Sequence, residues 1–153
     1  MSVPESRYNL DDLIPHRSTM SLLDAVLDAG PEGLTATVTI SSGSAFFDGG
    51  CVPAWVGIEY MAQAMAAFAG LEKQRVGETV KIGFLLGTRR YETAREVFHE
   101  GEKLRVDVER LYQEDSGLGC FAGRISIAGE TVAEARLNVF EPPDTEAFLQ
   151  EQN

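Results

Sequence analysis

Cysteine and histidine are scarce in this sequence, with two of each among 153 residues. Cys51 and Cys120 show no metal-type spacing, which argues against a disulfide scaffold or a thiolate metal site and suits a reducing cytoplasm. Positive charge is also short. A formal net charge of −11 argues against nucleic acid or an anionic membrane surface as partner. No apolar run reaches the roughly 18 residues of a membrane span, except in one stretch that itself contains an acid. The opening MSVPESRYNLDDLIPHR has neither a basic start nor an apolar segment, so no secretory signal is read there. The expectation is a cytoplasmic protein without a cofactor or metal. Its size fits one domain over residues 1–143, followed by an acidic tail over 144–153.

What the chain does have is a long stretch of unusual composition, Phe46 to Glu72. It reads as an ordered loop feeding a helix that is apolar on almost every side. Trp55, Val56, Ile58, Met61, Met65 and Phe68 are large; Ala54, Gly57, Ala62, Ala64, Ala66, Ala67, Ala69 and Gly70 are small. A helix with no polar stripe is normally buried. From Pro53 to Glu72 it would span roughly 30 Å. Its two polar groups, Glu59 and Gln63, stand at i, i+4 and share one face. A carboxyl placed there must be paired, neutral or functional, because leaving it bare in an apolar setting is costly.

Strand patterns surround that helix. Leu34, Ala36, Val38 and Ile40 alternate with threonines after the turn signal Gly30-Pro31-Glu32-Gly33. Residues 20–28 fit helix or strand by periodicity alone, and the hairpin favours strand. After a polar connection over 74–78, residues 80–97 read as one extended, bent strand. Leu104, Val106 and Val108 give the cleanest alternation, and two more strands follow turns at Ser116-Gly117 and Ala128-Gly129. The expected fold is α+β, one long buried helix wrapped by a curved antiparallel sheet. Such a sheet covers one side only, so a second subunit is expected to cover the rest.

Charge is unevenly spread. Lys73, Arg75, Lys81, Arg89, Arg90 and Arg95 form a local basic patch with few acids, either solvated or suited to an acidic partner.

Three separated segments resemble one family. Leu13-Ile14-Pro15-His16-Arg17 with Leu22-Leu23-Asp24, then Phe46-Phe47-Asp48-Gly49-Gly50 with Glu59-Tyr60-Met61-Ala62-Gln63-Ala64, then the Gly101 to Val106 meander resemble the hotdog-fold 3-hydroxyacyl-[acyl-carrier-protein] dehydratases. The resemblance runs from about Leu13 to Phe140. It departs just ahead of the helix: the family's catalytic histidine follows the glycine matched by Gly49, and here that position is Gly50, in a loop from Gly49 to Pro53 that is shorter than the family's. The block GGCVPAWVGIEYMAQA resembles the aryl-polyene-cluster branch of dehydratase-like proteins, which lacks that histidine.

The resemblance implies a hydro-lyase acting on 3-hydroxyacyl thioesters, carried on an acyl carrier protein or coenzyme A, in a homodimer or in a heterodimer with a related hotdog subunit. It implies the acid or base role for Glu59, an orienting or bridging role for Gln63 and an acyl-tunnel position for Gly87. A strand bulge is the plain alternative at Gly87. Amides around Ala54, Trp55 and Val56 at the helix start can polarise a thioester carbonyl, which makes Trp55 a substrate-binding candidate. His16 is the second catalytic candidate, since imidazole is the usual proton carrier near neutral pH; otherwise it is a hydrogen-bonded structural histidine. His99 reads as surface. Cys51, just ahead of the helix, is an inert thiol or a nucleophile that cleaves a thioester. A hotdog thioesterase in which Glu59 activates water is a further reading. Arg89 and Arg90 are the candidate docking residues for an acidic carrier. A non-catalytic subunit paired with a histidine-bearing dehydratase is the other reading.

Overall fold

The structure, a computed structural model, describes residues 22–75 and 84–140. The irregular start with His16, the connection at 76–83 and the tail from 144 lie outside the described residues. Eight strands and one long helix make up the rest. They are β1 (Ala25–Ala29), β2 (Gly33–Thr39), β3 (Cys51–Pro53), α1 (Gly57–Arg75), β4 (Phe84–Thr93), β5 (Val97–His99), β6 (Lys103–Gln113), β7 (Leu118–Ile127) and β8 (Glu130–Phe140). Six strands form one antiparallel sheet in the order β1-β2-β6-β7-β8-β4, and β3 pairs with β5 in a separate ribbon.

Alternation decides which side of each strand meets α1. On β6, Leu104, Val106 and Val108 are buried while Lys103, Arg105 and Glu109 are exposed, the pattern of a sheet with one dry face. Opposite them α1 buries Tyr60, Met61, Ala64, Met65, Ala67, Phe68 and Leu71. Each large side chain taken wholly out of water contributes about 1.5–3 kcal/mol, so this interface is the core. Two glycines allow the approach. A Cβ at Gly123 would overlap the Met61 sulfur, and one at Gly57 would overlap the Tyr91 hydroxyl.

Residues 80–97 do not form one bent strand. β4 ends at Thr93, and β5 leaves the sheet to pair with β3. Arg95 makes the break: its carbonyl accepts the Thr93 hydroxyl at 2.8 Å, and its guanidinium grips both Glu102 oxygens at 2.6 and 2.7 Å. The helix also starts differently from expectation. Pro53 leads into a 3-10 turn over Ala54–Val56, and the α-helix proper begins at Gly57. Ala54 is held from both sides there, its N–H by the Glu96 carbonyl at 2.9 Å and its carbonyl by the Tyr91 hydroxyl at 2.5 Å.

Candidate functional site

Among the described residues the sheet covers one side of α1 and leaves the other bare. The bare side carries Ile58, Ala62, Gln63, Ala66 and Ala69, all half-buried, together with Glu59, which is exposed. Their spacing of three and four residues places them on one stripe. The expectation of an enclosed carboxyl is therefore revised for the single chain: Glu59 faces outward, because only the opposite face of the helix meets the sheet. Trp55 stands one turn before Glu59 on the same side and is 53% exposed.

Gln63 is committed. Its Oε1 accepts the Leu22 N–H at 2.7 Å, so it ties the segment leading into β1 to the helix beside Glu59. Gly87 lies in β4 where the register with β8 shifts between Leu85 and Gly87, so the bulge alternative describes its backbone.

Arg90 is on the other side of the sheet. Strand alternation sends Tyr91 toward the helix, and Arg90 and Glu92 outward. Arg90 is bonded to Glu92, with Nε to Oε1 at 2.9 Å. It borders an open depression of about 630 Å³ on the outer sheet face, with Arg124, Arg136 and Glu134 around it. Arg90 and Glu59 are thus not brought together. The side chain of Arg89 and the whole of His16 lie outside the described residues.

The loop ahead of the helix is built around a two-residue turn. Asp48 and Cys51 exchange hydrogen bonds at 2.9 and 3.2 Å, and the residues between them, Gly49 and Gly50, have φ of 60° and 86°. Two positive φ values make a type I′ hairpin turn, which glycine adopts without strain. The Gly50 carbonyl accepts the Glu100 N–H at 3.0 Å. This turn sets β3 against β5 so that Cys51 lies directly across from His99. The fold thereby sets in cross-strand register two residues that sequence spacing kept far apart. Cys51 is half-buried, its Sγ 3.5 Å from the Asp48 carbonyl oxygen, and His99 is exposed as expected. Among the described residues no three His, Cys, Asp or Glu side chains gather to hold a metal, and no helix is long and apolar enough to cross a membrane.

Two further features escaped the sequence reading. Phe46 packs its ring edge-on against Trp55, with centroids 5.0 Å apart and planes at 64°. Tyr91 anchors the helix start from the edge strand. Burial pushes its phenol from 10.0 up to about 12, so it remains a donor throughout the neutral range. The paired phenylalanines before Asp48 were the available signal for the first. Nothing in the β4 pattern distinguished Tyr91.

One helix laid on a curved antiparallel sheet of this strand order, its far side uncovered, is the hotdog fold. Within that class the chain belongs to the ApeP-like dehydratase family, whose model, described as ApeP dehydratase, matches residues 8–150. The dehydratase heterocomplex ApeI:P from Xenorhabdus doucetiae superposes with a TM-score of 0.85 at 29% identity, over 96% of this chain and 100% of that one. The 3-hydroxyacyl-[acyl-carrier-protein] dehydratase FabZ of Shewanella woodyi is 29% identical over 130 residues, which is 81% of this chain and 84% of that protein. A hypothetical thioesterase of Streptococcus pneumoniae TIGR4, solved with coenzyme A, has a TM-score of 0.59 at 12% identity over 76% of this chain and 86% of its own. That last likeness concerns the fold alone.

Proposed function

We propose that this chain serves the dehydration of 3-hydroxyacyl thioesters held on an acyl carrier protein, in fatty-acid or polyene-type biosynthesis in the cytoplasm, with Glu59 as a proton-transfer group. One observation carries the reading. In a member of a dehydratase family, the bare face of α1 presents one acid, flanked by Trp55 one turn before it and Gln63 one turn after it.

The chemistry asks for two transfers. A base takes the proton from the carbon next to the thioester, and that electron pair forms the new double bond. The hydroxyl then leaves with a proton from an acid, as water. Negative charge that builds on the thioester oxygen needs donors nearby. Glu59 is assigned one transfer and His16 the other, while Gln63 holds the chain near Leu22 in place. Arg89 and Arg90 are assigned the carrier's acidic surface, in competition with Glu92 for Arg90. A second hotdog subunit would cover the bare helix face and dry the site around Glu59; the outer edge of β4, unpaired among the described residues, offers it a strand to join.

The test is direct. The purified chain is given a 3-hydroxyacyl-carrier protein and the enoyl product is sought by mass. Glu59→Gln should lower product formation by about 100-fold or more, the scale of a lost proton-transfer group. Full activity in that variant would remove Glu59 from the mechanism.

A second reading is favoured by the glycine turn at Gly49-Gly50, which carries no imidazole. The chain would then be the non-catalytic half of a pair with a histidine-bearing hotdog dehydratase. It predicts no product from this chain alone and product once the second subunit is added.

A further inference from the structure

Among the described residues, two without glycine's freedom lie at positive φ, Phe46 at 67° and Ala128 at 52°. Ala128 sits in the tight turn between β7 and β8, where such angles are the rule. Phe46 is different. It occupies the third position of a four-residue turn closed by the Phe47 N–H on the Ser44 carbonyl at 3.1 Å, and a positive φ at that position normally calls for glycine or asparagine. A bulky residue held in that conformation is strained. Burial does not account for it, because Phe46 is 49% exposed. Its ring instead meets Trp55, itself half in solvent, and the two form an open aromatic corner. Strained residues of this kind cluster at ligand clamps, where the surroundings hold them in place.

The corner has an address. Trp55 is on the side of α1 that carries Glu59, one turn away, roughly 6 Å along the axis. An acyl chain whose third carbon reacts at Glu59 would pass the corner a few carbons further on. Its backbone is fixed by the ties at Ala54 and by the Asp48–Cys51 turn.

We propose that Phe46 and Trp55 determine specificity by reading the planarity of the acyl chain beside the reacting carbons. This rests on the dehydration reading above. Dehydration itself flattens only the second and third carbons. The segment that passes the corner is flat where the chain already carries a double bond from its fourth carbon, and dehydration then conjugates that segment with the new double bond. A flat π-system can lie against one ring and meet the edge of the other, whereas a saturated chain gains only unspecific apolar contact.

Trp55 is the only tryptophan in the sequence, so its fluorescence reports on this corner alone. The full chain is titrated with a 2,4-dienoyl and a saturated N-acetylcysteamine thioester of equal length. The wild type should bind the dienoyl probe about tenfold more tightly, the scale of one good aromatic contact. Phe46→Ala should abolish that preference and leave affinity for the saturated probe within about threefold. Phe46→Gly should do the same without lowering Tm, because glycine accepts the left-handed backbone. Equal binding of the two probes by the wild type, no binding of the dienoyl probe, or a preference that survives both variants would overturn the proposal. So would a change in oligomeric mass in the variants, which would make the corner part of a subunit seam. Probe binding is read without turnover, so absence of enoyl product from a 3-hydroxyacyl substrate would count against the dehydration reading and leave the binding result to stand separately.

Discussion

The hydroxyl of Tyr91 donates to the main-chain carbonyl of Ala54 at 2.5 Å, linking the edge strand of the sheet to the turn that starts the helix. Trp55 and Glu59 follow directly on that turn, so one phenol helps set where both side chains stand. Tyr91→Phe keeps the ring and removes the donor. It should cost about 1 kcal/mol, the usual net worth of one such bond, read as a lower denaturant midpoint with unchanged m.

The same phenol makes a pH prediction. Burial raises Tyr91 from 10.0 to about 12, and burial followed by the charges of Asp24 and Tyr91 raises Tyr60 to about 12 as well. The unfolded chain gives up these protons near pH 10, whereas the folded one keeps them to about 12. Stability should therefore be full below pH 10 and fall between 10 and 12. Denaturant titrations across that window should show the decline, and Tyr91→Phe should flatten part of it. A flat profile in the wild type would mean that the two phenols are less enclosed than described.

Gly57 is predicted to resist even alanine. Alanine is the better helix former by about 1 kcal/mol. At Gly57, however, its Cβ would overlap the Tyr91 hydroxyl and crowd Ile125 Cδ1 at 2.8 Å. Overpacking of this kind costs about 1–3 kcal/mol and should outweigh the propensity gain. Thermal melts of Gly57→Ala give the answer by the sign of the shift.

Arg95 and Glu102 bolt the segment that carries β5 away from the sheet. The guanidinium's hydrogen bonds hold the Glu102 carboxyl below its ordinary range, and both side chains are only 23% exposed. The stabilisation is present above pH 4.5, the ordinary value, and is lost as pH falls through the lowered one. Glu102→Gln should cost about 1–2 kcal/mol at neutral pH, with the gap to wild type closing in acid. A gap that stays constant with pH would assign the effect to packing.

How far the sequence could be read depended on the length of each signal. β2, β6, β7 and β8 alternate over seven or more residues and were legible, as was the helix. β3 and β5 have three residues each, too few for any period, and with them went the pairing of Cys51 with His99. The acid and amide of the helix were placed on one face by spacing alone. That this face would be the uncovered one was not legible, because Ala62, Ala66 and Ala69 on the bare side read the same as Ala64 and Ala67 in the core. Small residues permit close packing on any side and do not say against what. Phe46 shows a different limit: its backbone angle comes from a turn whose usual residues are absent.

The bare side of α1 makes the last prediction. Ala62, Ala66 and Ala69 form a strip of small side chains half-buried in the single chain, on the face that carries Glu59. If a second hotdog subunit closes over that strip, a long charge there will block closure without disturbing the core beneath. Ala66→Arg should therefore change unfolding free energy by no more than about 0.5 kcal/mol when measured at dilutions where the wild type is monomeric. The same variant should lose assembly by light scattering, alone or with a related hotdog partner, because an unpaired buried cation is not tolerated in an apolar seam. Activity should fall with assembly, and raising the protein concentration should recover part of both. An Ala66→Arg protein that assembles like wild type would show that the seam lies elsewhere and that Glu59 works, if it works, in the open.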